Sequence, residues 1–209
     1  MDLVSGSYPG EIYWFRRKAN GTFAAGETLK KLNGQALNVG RASSVAVTDW
    51  NGDGKLDLVV GDIDGNVHLV INKGTAQKPA FDKDEPVTAD GKAIAGDLAG
   101  PCVADWDGDG KPDLIVGNGT GSVVFYRNVG TKTEPKLAAG VNLLEPIVQE
   151  GAKPDSKRSG GRAKVSVTDW NGDGKPDLLV GDFNSDGSGK YHGWVWVYLR
   201  KSAESKDSK

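Results

Sequence analysis

The sequence predicts an all-β fold built from repeated four-stranded antiparallel units, and three observations carry that prediction. A nonapeptide rich in Asp, Asn and Gly occurs three times, at Asp49–Asp57, Asp105–Asp113 and Asp169–Asp177. Short runs of aliphatic and β-branched residues flank each copy, and no segment keeps an amphipathic helical period over three turns. The copies begin 56 and 64 residues apart, a period that holds four short strands with turn residues at fixed offsets. That is the pattern of a β-propeller blade. A continuous sandwich is the alternative architecture.

The elements follow in order. Asp2-Leu3-Val4-Ser5-Gly6 aligns without a gap on Asp57-Leu58-Val59-Val60-Gly61 and on Asp113-Leu114-Ile115-Val116-Gly117. The chain is therefore expected to open on the ninth residue of a loop and to be a piece of a longer one. In the second unit, Val45–Thr48 enters the loop and Leu58–Val60 leaves it, apolar at every position as in a strand covered on both faces. Val67–Ile71 follows, then a turn at Asn72-Lys73-Gly74-Thr75 and a polar outer strand from Ala80 to Val87. The third unit repeats this through Pro101–Ala104, Leu114–Val116, Val123–Tyr126, the turn Asn128-Val129-Gly130-Thr131, and Lys136-Leu137 onward. The fourth runs through Lys164–Val167, Leu178–Val180 and Trp194–Leu199. One propeller domain over 1–200 is expected, with blades at about 1–40, 41–97, 98–160 and 161–200, and a disordered polar tail at 201–209. About four blades are then present. The first lacks its inner strand and the last its outer one, which leaves sheet edges open to pairing.

Composition narrows the function. The 209 residues carry 26 Lys plus Arg against 28 Asp plus Glu, a net charge of −2 that speaks against nucleic acid as a partner. No stretch has the apolar length of a membrane span. Met1-Asp2-Leu3-Val4 shows no signal-peptide pattern, which leaves a cytosolic protein or a piece of a longer one, and the repeat alignment favours the piece. Cys102 is the single cysteine, so an internal disulfide is excluded, and its apolar run predicts a small buried residue.

The nonapeptides carry the chemistry. Oxygen-bearing side chains stand at positions 1, 3, 5 and 9, glycine at 6 permits a sharp turn, and the carbonyl of 7 points inward. An all-oxygen, carboxylate-rich donor set suits calcium rather than zinc or copper. The alternative is an acidic Asn-Gly or Asp-Gly hairpin turn. A helix-loop-helix calcium hand is a poor fit, because position 12 is Val60, Val116 and Val180 where a bidentate Glu is needed.

The Asp-Trp-Asn-Gly-Asp-Gly-Lys-Pro-Asp loops followed by Leu-Leu-Val-Gly resemble FG-GAP repeats, also called VCBS-type repeats. These build the β-propellers of integrin α-subunits and of many secreted bacterial proteins. The resemblance covers Asp2 to about Arg200. It implies a calcium-loaded propeller, extracellular or at the cell surface, serving binding, adhesion or scaffolding rather than catalysis. It implies three Ca2+ sites. Their ligands are Asp49, Asn51, Asp53, Lys55 by its carbonyl, and Asp57; Asp105, Asp107, Asp109, Lys111 and Asp113; and Asp169, Asn171, Asp173, Lys175 and Asp177. Asp2 alone remains of a further loop and is not expected to bind a cation.

Other residues offer weaker signals. Asp182, Asn184 and Asp186 stand at loop positions 1, 3 and 5, but Lys190 holds position 9, and this insertion is expected to be a flexible surface loop rather than a fourth cation site. Trp50, Trp106 and Trp170, at position 2 of each loop, are expected to pack between neighbouring blades. Tyr8, Tyr191, His192 and Trp194 are expected in or beside turns that the family geometry puts on the face opposite the loops, as scattered surface aromatics, with contact to a carbohydrate or protein ligand as the alternative. Arg41 and Arg162 precede inner strands and are expected to form ordinary ion pairs. Catalytic signatures are lacking: there are only two histidines, His68 and His192, and no nucleophile elbow, HExxH or phosphate loop. The alternative function is the propeller portion of a secreted polysaccharide lyase or hydrolase, which rests on fold analogy.

Overall fold

Alternating apolar runs and Gly-rich turns produce an all-β chain. The computed structural model describes residues 1–147, 160–185 and 190–201. The first sheet has the order β1 (Leu3–Ser5), β2 (Tyr13–Phe15) and β3 (Glu27–Thr28), and the second β4 (Ser44–Thr48), β5 (Asp57–Gly61), β6 (Val67–Asn72) and β7 (Phe81–Pro86). A small hairpin of β8 (Thr88–Ala89) and β9 (Lys92–Ala93) follows. The third sheet has the order β10 (Gly100–Ala104), β11 (Asp113–Gly117), β12 (Val123–Tyr126) and β13 (Val141–Leu144), and the fourth β14 (Gly161–Thr168), β15 (Asp177–Ser185) and β16 (Tyr191–Tyr198). All the strand pairs within these sheets are antiparallel.

The sheets pack on one another in chain order. β1 lies against β4, β10 against β4 and β5, and β14 against β10 and β11. The strict two-residue period of a strand explains how one central strand serves two interfaces. Leu58 and Val60 point back into a core with Ile12, Leu37 and Val39, while Val59 points forward to join Leu114 and Val116. Ile115 in turn faces Leu178 and Val180. These residues are almost fully buried. Burying each such side chain contributes roughly 1.5–3 kcal/mol. Lys164 ties the third and fourth sheets further by donating its Nζ proton to the Ala99 carbonyl at 2.9 Å.

The tryptophans follow this stacking. Trp50 is buried between the second and third sheets, and Trp106 packs half-buried between the third and fourth. Trp170 is 60% exposed, against the expectation that it packs between neighbouring blades, because among the described residues no further sheet follows the fourth.

Several expectations require correction. The third sheet's outer strand forms at Val141–Leu144, later than Lys136, because Leu137 is used instead for bridges to Asn128 and Ala89. The insertion after Gly181 is not a loose loop at its base. Asp182, Phe183, Asn184 and Ser185 extend β15 and pair with Trp194, Gly193, His192 and Tyr191. Tyr191, His192 and Trp194 therefore lie on β16, beside the β15–β16 connection, and Tyr191 stacks on Phe183 at 5.0 Å between ring centroids. Asp186 lies outside the described residues, as does the expected tail beyond Lys201. Hairpin β8–β9 was not anticipated. Its Asp90-Gly91 turn, with φ of 49° and 71°, carries the Asp-Gly signal for a two-residue hairpin.

Candidate metal centre

Each nonapeptide joins the first strand of a sheet to the second: β4 to β5, β10 to β11, and β14 to β15. The loops curl because short side chains capture their own amides. In the first, Asp49 Oδ1 accepts the Asp53 amide and Oδ2 the Gly54 amide, both at 3.0 Å. Asn51 Oδ1 also accepts the Asp53 amide, and Asp53 Oδ1 the Lys55 amide. The second loop repeats the pattern with Asp105 on Gly108 and Gly110, and the third with Asp169 on Gly172, Asp173 and Gly174. The turn needs left-handed backbone twice, at positions 4 and 6. Gly52 and Gly54 have φ of 71° and 80°, and the glycine pairs of the other loops match them. The requirement at position 4 was not read from the sequence.

Position 9 has a second role. Asp57, Asp113 and Asp177 are each fully buried. One oxygen accepts the amide of the loop tryptophan at 3.0 Å, from Trp50, Trp106 and Trp170 respectively. The other accepts an amide at the end of the next strand, from Asn72 at 2.8 Å, Asn128 at 2.7 Å and Arg200 at 2.8 Å. Asp2 keeps this register, accepting the Arg17 amide, while the Trp14 indole N–H takes the place of the loop amide. Asn72 and Asn128 carry the relay onward: each side-chain oxygen accepts two amides of the following turn, those of Gly74 and Ala80 or Gly130 and Lys136. The repeated Asn-x-Gly-Thr was the available signal for this relay.

These environments set the charges. Burial pushes the carboxyls of Asp57 and Asp113 up, and the amides bound to them only partly offset it. Asp177 is held low, chiefly by the Arg200 amide. Burial also raises Asp53, but Lys55 and Asn51 together outweigh it and leave that carboxyl below its ordinary value. Asp109 is held low by Lys111 first.

The second loop stands apart. Asp105, Asp107 and Asp109 bring carboxylate oxygens within 4.8 Å of one another. Such an oxygen-only cluster fits a hard divalent cation. In the first and third loops position 3 is Asn51 and Asn171, which offer an amide oxygen instead.

The remaining candidates are placed as follows. Arg41 pairs with Asp64 at 3.4 Å, whereas Arg162 lies over the Phe183 ring at 4.9 Å rather than in an ion pair with a described residue. Tyr8 is 69% exposed in the connection between β1 and β2. His68 lies between Asp62 and Asp84, at 3.3 and 3.2 Å. Cys102 is half-buried rather than buried, and burial raises its thiol pKa.

A family model described as FG-GAP-like repeat matches residues 1–60, 49–116 and 105–180. The chain is similar to cartilage acidic protein 1 of Xenopus tropicalis, at 24% identity over 184 residues, covering 86% of this chain and 26% of the relative. It is similar to integrin alpha-6 of Gallus gallus at 28% identity, covering 88% of this chain and 17% of that protein. Integrin alpha-7 of Mus musculus is 31% identical over 72% of this chain and 13% of its own length. The chain thus spans about a quarter or less of the length of these relatives.

Proposed function

The chain belongs to the FG-GAP-like repeat family, and on that premise we propose that it is a calcium-binding β-propeller module serving extracellular binding, adhesion or scaffolding without catalysis of its own. Its blades are the four units at about 1–40, 41–97, 98–160 and 161–200. The observation that carries the reading is the loop geometry, with the Asp105, Asp107 and Asp109 oxygens gathered within 4.8 Å. Each loop would hold its cation through positions 1, 3 and 5, the carbonyl of 7, and the aspartate at 9. An oxygen of that aspartate engaged with one amide keeps a lone pair for a metal. A bound Ca2+ would neutralise the converging carboxylates, so its binding free energy would become folding free energy.

The similarity to integrin alpha chains supports a binding role, with a carbohydrate or protein partner on the face opposite the loops. Tyr8, exposed on that side, is a contact point for such a partner. Terbium luminescence excited through the loop tryptophans tests the calcium reading. We expect sensitised emission that calcium displaces and magnesium displaces poorly. Emission unaffected by calcium would refute it.

A further inference from the structure

Two residues that set the second loop-bearing repeat apart from the other two meet in the structure, one in the loop and one beyond it. Position 3 is Asp107 where the other loops have Asn51 and Asn171. Arg127 stands one residue before the anchoring Asn128, at the place that the first and last loop-bearing repeats fill with Ile71 and Leu199. Its guanidinium reaches that added carboxylate: Nε lies 2.5 Å from Asp107 Oδ2 and Nη2 lies 3.3 Å from Asp109 Oδ2. Arg16 holds the same register in the first sheet but pairs with Glu27.

The backbone holds Arg127 in place. The Asn128 amide is bound to buried Asp113, and the Arg127 carbonyl accepts the Ala138 amide at 2.9 Å. Lys111 also pairs with Asp109, but Lys55 and Lys175 make the matching contact with Asp53 and Asp173, so it distinguishes nothing. Arg200 lies over the Trp106 ring and donates to the Trp106 carbonyl, with no carboxylate partner among the described residues.

We propose that Arg127 is the resident counter-cation of the second loop. It balances the charge that Asp107 adds, holds the loop together without a divalent ion, and lowers the loop's calcium affinity relative to that of an arginine-free loop. The inference rests on the calcium reading of the loops. A unit charge about 5 Å from a divalent ion in largely aqueous surroundings changes affinity by about tenfold or more.

The test compares wild type with Arg127→Ile, the residue of the first repeat, and with Arg127→Gln. Each protein is melted in chelator and titrated with calcium by calorimetry. The proposal expects both variants to melt lower than wild type in chelator. It also expects one site of three to gain about tenfold in calcium affinity while the other two stay fixed. Unchanged melts in chelator, or a second-loop affinity that stays the same or falls, would overturn it while leaving the calcium reading intact. No calcium uptake by any of the three proteins would overturn the calcium reading and the competition together. The chelator melts would then report separately on the counter-ion role.

Discussion

Replacing Asp57 with alanine separates a structural role of the loop from a metal-binding one. Asp57 is fully buried, and its oxygens accept the Trp50 amide at 3.0 Å and the Asn72 amide at 2.8 Å. Alanine leaves both N–H groups buried without an acceptor. Each orphaned donor costs about 1–3 kcal/mol, so the pair costs about 2–6 kcal/mol. Removing a carboxyl that burial disfavours returns part of this, which puts the net near 3 kcal/mol. Against a domain stability of about 5–15 kcal/mol this is a large fraction. The assay is urea unfolding in chelator, followed by tryptophan fluorescence, for wild type, Asp57→Ala and Asp53→Asn. Asp53 caps only its own loop, so Asp53→Asn should lose about 1 kcal/mol or less in chelator. If Asp57→Ala unfolds at the same urea concentration as wild type in chelator, the buried relay contributes nothing and the reasoning fails.

Trp50→Ala should cost about 3–5 kcal/mol, because Trp50 fills the core between two sheets, whereas Trp170→Ala should stay within about 0.5 kcal/mol; paired urea curves compare them. The Arg17 amide first, then the Trp14 indole, hold the Asp2 carboxyl below its ordinary value. A depressed folded pKa gives stability that is present above the unfolded value and lost as pH falls through the folded one. Asp2→Asn should therefore melt lower than wild type at pH 7 and converge with it as the pH falls through the folded pKa, as a pH series of melts would show. Burial raises the Cys102 thiol pKa, so iodoacetamide at neutral pH should label the folded protein far more slowly than the urea-unfolded chain, as mass spectrometry would report.

Much of the fold was legible because the loop period repeats. Leu58-Val59-Val60 reads as a strand buried on both faces, and the stacking of sheets explains why both faces are covered. What the sequence hid was side-chain reach across the repeat. Position 9 looks like one more metal ligand by type and spacing. Its hold on an amide 15 residues later in the first two loops emerges only when β5 and β6, or β11 and β12, lie side by side. Arg127 was hidden for the same reason, since it lies 20 residues from Asp107 along the chain. The insertion after Gly181 misled through composition. Its Asp, Asn and Ser suggest a loop, yet pairing of Phe183 with Gly193 and stacking of Tyr191 on Phe183 continue the hairpin.

The most direct test of the account is a calorimetric calcium titration of chelator-stripped protein, with the thermal melt followed alongside. Three binding events with a matching rise in melting temperature are the predicted result. Absence of binding heat, with a melt unmoved by millimolar calcium, would contradict it and leave the loops as acidic turns held together by their own amides.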